Sequence, residues 1–281
     1  MKLNIQEFET KAEKIAYMVE NKSSLIKQAK TAMKKADDYG VTYIVSSVKS
    51  LDANKAETGE QEEGVLNVKA VINTTGLMDS HEDVHIKGLW KKTLSEFKRP
   101  LHLQEHKSNS FEHIISSGED LRVSAKTLQW KTLGFDKAGS TQALVFESKV
   151  RKDRNPFMYN QYKNGWVDNH SVGMRYVKID FAVNDKDYEA EKAVWDKYID
   201  QVANKEQAES VGYFWAVTEA KMIEGSAVPN GSNSITPTMS VKTFEEKTEP
   251  SILDMIGKMD TQQKAAPSTF DICSAIKKHN F

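Results

Sequence analysis

Apolar positions in the first forty residues recur at a helical spacing. Phe8, Ala12, Ile15 and Val19 fall on one stripe and Ile26, Ala29, Met33 and Ala36 continue it, with Lys and Glu filling the remainder. The spacing predicts helix over 5–38, turning at Asn21, with Ser23 or Ser24 as the cap of a second segment, and ending at Gly40. Such a helix can pack on its own domain or act as an arm that docks on a partner. From Val41 the period changes to two. VTYIVSSV predicts a strand, and the charged stretch SLDANKAETGEQEEG predicts a loop. Val65, Val68, Ala70 and Ile72 predict a half-buried strand, followed by strand-like runs FEHIISS, LRVSAKTLQW, QALVFESKV, HSVGMRYVKIDFAV and GYFWAVTEAKMIEGSAV.

One segment interrupts the strands. Over 184–210, Val194, Tyr198 and Val202 are i, i+4 neighbours and Trp195 pairs with Ile199, so a helix is inserted between two strands. GLWKKTLSEF predicts a short helix. Beyond Val228 the chain turns to Pro, Gly, Asn, Ser and Thr, with two short apolar clusters at Ile252 to Met259 and Phe270 to Ile276. The organisation expected is a helical N-terminal arm over 1–40, a core domain over 41–233 and a flexible C-terminal tail over 234–281.

Composition narrows the function classes. Thirty-nine Lys and Arg against 40 Asp and Glu give a net charge of −1, no electrostatic footprint for a nucleic-acid partner. Cys273 is the only cysteine, so neither an intrachain disulfide nor a Cys-based metal centre is available. No run approaches the ~18 apolar residues of a membrane span, and MKLNIQEFETKAEK lacks the apolar stretch of a signal peptide. A soluble protein of a reducing interior is expected, with no membrane partner.

Two residue sets compete for chemistry. His81-Glu82-Asp83-Val84-His85 is an H-E-x-x-H string, which on a helix stacks two imidazoles for Zn²⁺ with the Glu as general base. Its context is not helical: it follows a strand, Gly88 comes three residues after His85, and Lys91 stands where a longer motif has a third His. A polar loop is the expectation there, with no metal. The second set is His106, Ser171 and Glu224. His106 lies in PLHLQEHK, and Ser171 starts a strand in DNHSVGMRYV, where Gly173 leaves room for a close approach. On a strand, Met222, Glu224, Ser226 and Val228 share a face opposite Glu219, Lys221 and Ile223, so Glu224 is a buried carboxylate in need of a partner. A serine nucleophile needs a base, and the base needs a group that fixes its tautomer.

The order TGLMDSHEDVHIKGLW, PLHLQEHK, FEHIISSG, NGWVDNHSVGM and MIEGSAVPNGSN resembles the prohead proteases of tailed bacteriophages, over roughly residues 65 to 233. The resemblance puts Asp79 and Asp83 on the family's aspartates and leaves His81, Glu82 and His85 on variable positions. It implies a serine endopeptidase with Ser171 as nucleophile, His106 as general base and Glu224 as the acidic third group, needing no cofactor. It also implies an α+β fold similar to the herpesvirus assemblins, a β-barrel-like antiparallel core surrounded by helices. The substrates implied are the major capsid protein and the scaffold, and the location is the procapsid inside the host cytoplasm, where a homo-oligomer is compatible with the role. Two features depart from the family pattern: the long helical insertion at 184–210, and Asn230-Gly231-Ser232-Asn233 at the end of the last motif. A non-catalytic assembly scaffold with a protease-like fold is the rival of another class, and a zinc metalloprotease through His81 and His85 is the third.

Overall fold

A computed structural model describes residues 8–34, 62–96 and 99–242. The strand expected at 41–48 and both apolar clusters beyond Ile252 lie outside the described residues. The fold is α+β. Two helices, α1 (Lys11–Glu20) and α2 (Lys22–Thr31), come first and break at Asn21 as the pattern predicts. Thr10 caps α1 by accepting from the Glu13 amide at 3.2 Å. Strands β1 (Val65–Thr74) and β2 (Asp83–His85) follow, then the short helix α3 (Lys91–Glu96) and strands β3 (Leu101–Gln104), β4 (Ile114–Ser117), β5 (Leu121–Gln129) and β6 (Ser140–Arg151). Helix α4 (Pro156–Lys163) leads into β7 (His170–Val183). The insertion predicted at 184–210 is two helices, α5 (Glu189–Tyr198) and α6 (Lys205–Val211), before β8 (Tyr213–Ala227) and β9 (Thr238–Lys242).

The strands form two sheets. One has the order β5-β6-β1-β9, antiparallel throughout. In the other, β7 and β8 form a long antiparallel pair, while β2 and β3 both lie parallel to β8, at 215–217 and 225–227, and β4 pairs β3. The sheets pack face to face around Leu66, Ile72, Leu144, Phe146, Val172 and Ala227. Gly225 marks the closest approach: a Cβ there would lie 2.6 Å from the Phe146 ring and 2.9 Å from Ile72. The expected β-barrel is not formed. No hydrogen-bonded ladder joins the two sheets among the described residues, so this is an open two-sheet packing rather than an assemblin-like barrel.

Two boundaries differ from the sequence expectation. The N-terminal helices are part of the core: Ile15, Met18 and Leu25 are buried, Lys11 donates to the Ser210 carbonyl at 2.9 Å, and Lys22 pairs with the buried Glu191 of α5. At the other end, Asn233, Ile235 and Thr236 are buried and β9 pairs with β1, so ordered structure runs past residue 233. The turn-rich composition there hid a strand whose own five residues are only half-buried. Among the described residues no helix is long and apolar enough to cross a membrane.

Candidate functional site

Adjacent strands place the three predicted residues on one sheet face. In the β7–β8 ladder Ser171 faces Ser226, Val172 faces Gly225 and Gly173 faces Glu224. Opposed residues share a face. Ser171, Gly173, Glu224 and Ser226 therefore lie together, on the side away from Gly225 and its contact with Phe146. β3 runs along the other edge of β8, with Gln104 beside Ala227, and the chain then turns sharply at Glu105 and His106. Both residues have left-handed backbone, φ 51° and 57°. That conformation costs a non-glycine residue roughly 1 kcal/mol or more. The turn is held by Glu105 N donating to Ala227 O at 2.9 Å and Lys107 N to Gln104 O at 3.0 Å.

The turn aims the imidazole at the carboxylate. His106 Nδ1 donates to Glu224 Oε1 at 2.6 Å, with both side chains buried. A carboxylate oxygen only accepts, so the proton sits on Nδ1 and the basic lone pair is on Nε2. Ser226 locks the pair. Its hydroxyl donates to Glu224 Oε2 at 2.6 Å and accepts from the His106 backbone amide at 3.1 Å, tying the His106 turn and the carboxylate to one strand. Gly173 supplies the space, because a Cβ there would lie 2.0 Å from Glu224 Oε1. Strand parity places Ser226 on the face of Glu224, but sequence reasoning gave it no role; the Glu-x-Ser spacing on one strand was the available signal.

Ser171 is 5% exposed and joins this group through its ladder partner Ser226. The structure thus unites His106 with Glu224 directly and puts Ser171 on the sheet face of Glu224. Glu219, expected on the exposed face, is half-buried between Lys178 at 2.7 Å and Lys92 at 3.4 Å.

The H-E-x-x-H string is not helical. Asp79 Oδ1 accepts from the amides of His81 at 2.8 Å and Asp83 at 3.1 Å, Glu82 is left-handed at φ 56°, and β2 begins at Asp83. His81 and His85 therefore do not stack as zinc ligands on a helix. The polar loop expected here is more buried than its sequence suggests. His85 is enclosed, with Asn73 Nδ2 donating to Nδ1 at 2.9 Å, and burial lowers its pKa to about 4. Asp83 accepts from the Tyr176 hydroxyl at 2.5 Å and pairs with Lys34 at 3.3 Å. Burial, then the neighbouring Asp83, pushes Asp79 up to about 7. Asp79, His81 and Asp83 hold ligand atoms within 4.8 Å of one another, the place among the described residues where a cation could be held. One oxygen of each carboxylate already accepts: Asp79 Oδ1 from this loop, and Asp83 Oδ2 from Tyr176 and Lys34. No protein family, curated protein or solved structure matches the chain.

Proposed function

We propose that the chain is a serine endopeptidase in which His106 is the general base for Ser171 and Glu224 orients the imidazole. The observation that carries the reading is the buried 2.6 Å bond between His106 Nδ1 and Glu224 Oε1, on the sheet face that also holds Ser171. With Nδ1 fixed as donor, Nε2 takes the Ser171 hydroxyl proton as Oγ bonds to a peptide carbonyl carbon. The protonated ring then gives that proton to the leaving amine as the C–N bond breaks. Water, deprotonated by the same nitrogen, cleaves the acyl-serine ester and restores both residues. Glu224 stabilises the imidazolium throughout, and Ser226 keeps Glu224 from turning away.

The order of motifs supports a narrower assignment to capsid maturation, with capsid or scaffold protein as substrate inside a procapsid. The test is co-expression with such a substrate. Wild type is expected to cleave it and to react with a serine-directed reagent. Ser171→Ala should cleave at least ~10³-fold more slowly with its fold intact, since one hydroxyl at a strand end contributes little stability. Full cleavage by the variant ends the serine reading. Loss of wild-type cleavage with a chelator but not with the serine reagent would move the chemistry to Asp79, His81 and Asp83. Normal assembly without cleavage by either chain would favour the scaffold.

A further inference from the structure

β7 uses one edge for β8, and its other edge carries a piece of the chain's own N-terminal region. Lys34 N donates to Met174 O at 2.8 Å and Met174 N donates back to Lys34 O at 3.1 Å. This reciprocal pair is the hydrogen-bonded unit of an antiparallel ladder. α2 has ended by then, and Ala32 is already extended (φ −74°, ψ 144°). The two side chains go to different places. Met33 Cε sits 3.0 Å from where a Cβ on Gly173 would be, beside Glu224. Lys34 Nζ reaches Asp83 Oδ2 at 3.3 Å and lies 5.4 Å from the centre of the Tyr176 ring. The cleft here is lined by Lys34, Ile72, Ser171, Val172, Met174 and Tyr176, so the added strand and Ser171 border the same space, while His106 and Glu224 do not line it.

We propose that this edge of β7 is a peptide-binding edge, taking an extended polypeptide antiparallel to β7, and that its occupant here is the chain's own Met33–Lys34. Cleavage of a bound peptide rests on the endopeptidase reading; the binding does not. The occupant defines the ligand class: an extended peptide carrying an unbranched apolar residue followed by a lysine, read by Gly173 on one side and by Asp83 with Tyr176 on the other. In an antiparallel register the residues after that lysine run from Met174 towards Ser171, three positions earlier in β7. The bond cut therefore lies about three residues beyond the lysine. A tethered occupant acts at an effective concentration in the millimolar range, so the resident segment excludes outside peptides until it is displaced.

The experiment uses the full chain with Lys34→Pro, which removes the amide donated to Met174, and a fluorescent peptide of the sequence Ala29–Tyr39. Anisotropy should show the peptide binding the variant at least ~10-fold more tightly than wild type, and amide exchange at Met174 should accelerate. A peptide carrying Met33→Asp and Lys34→Glu should bind at least ~10-fold more weakly. If Lys34→Pro does not fold by circular dichroism, Lys34→Glu, which sets a carboxylate against Asp83, is measured in its place. Equal peptide binding by wild type and a folded variant, or no discrimination between the two peptides, overturns the proposal. Activity separates the two readings. Tight binding with no hydrolysis by any variant keeps the peptide edge and sinks the endopeptidase. Ser171-dependent hydrolysis that Lys34→Pro leaves unchanged, with no peptide bound, keeps the endopeptidase and sinks the edge.

Discussion

β3 and β7 serve two histidine clusters on opposite faces of one sheet, and the clusters are built to opposite ends. On the face towards the other sheet, His170 Nδ1 donates to the Thr236 carbonyl at 2.9 Å, which leaves Nε2 to accept from the Tyr162 hydroxyl at 3.0 Å. Tyr162 oxygen then accepts from His102 Nε2 at 3.2 Å, and His102 Nδ1 accepts from the Ser148 hydroxyl at 2.9 Å. Every polar atom in that row is paired with both rings neutral, and burial lowers the pKa of His170 to about 4 and that of His102 well below its ordinary value. On the other face a single imidazole bonds a carboxylate instead, in a turn that strains two residues to reach it. A buried histidine is therefore no sign of catalysis. In the proposed mechanism the anionic partner, which stabilises the imidazolium, is what sets His106 apart from these structural rings.

Replacing that partner should break the difference most sharply. Glu224→Gln keeps the shape but lets an amide face Nδ1, so the ring can present the wrong tautomer. A loss of up to about 10⁴ in kcat is expected, while Glu219→Gln, which removes only the pairing with Lys178 and Lys92, should change the rate by less than ~3-fold. Equal rates in the two variants would return Glu224 to a structural role.

The closed face should show itself in stability against pH. His85, His102 and His170 are neutral when folded, with pKa values of about 4 for His85 and His170, and titrate near 6.5 when unfolded. Their contribution is complete above pH 6.5 and is lost as pH falls towards 4, because the unfolded chain binds three protons that the folded chain does not. Asp79 works the other way: its pKa of about 7 when folded lets it hold a proton that it releases on unfolding. Near pH 5 the balance is about two protons in favour of the unfolded chain, a slope of roughly 1–3 kcal/mol per pH unit. Denaturant titrations at pH 7 and pH 5 measure it, and His170→Gln should flatten it by about half. Unchanged stability between the two pH values would mean that these rings are not held neutral.

Much of this was legible in the chain. The 14-residue run His170–Val183 and the run ending at Ala227 were strong period-two signals, and their register fixes which residues share a face. The turn at Asn21 and a close approach at Gly173 followed from spacing and from the absent side chain, but that Glu224 is what approaches did not. β2, with three residues, and β3, with four, were too short to show a period, yet β3 delivers His106. Met33 sat on an apolar stripe and so looked helical, but the helix ends at Thr31 and the next residues pair with β7. The closed-face network joins residues from three strands and a helix to a loop threonine, a set that no local pattern could assemble.

The mildest test acts on that network alone. Tyr162 is buried, and its hydroxyl is the middle link between two imidazoles. Tyr162→Phe keeps the ring and removes only the oxygen, so His102 Nε2–H loses its acceptor and His170 Nε2 loses its donor. Reversing the His102 tautomer does not help, because two lone pairs would then face each other across the gap. An unpaired buried group costs about 1–3 kcal/mol, which for a chain of this size lowers Tm by roughly 2–4 °C per kcal/mol. The rate should stay within ~3-fold of wild type, since the dyad hangs on Ser226 and the turn at His106, neither of which touches Tyr162. A fall of 100-fold in kcat with Tm unchanged would show that the two faces are one machine, with the buried row feeding the site through the neighbouring residues His170 and Ser171.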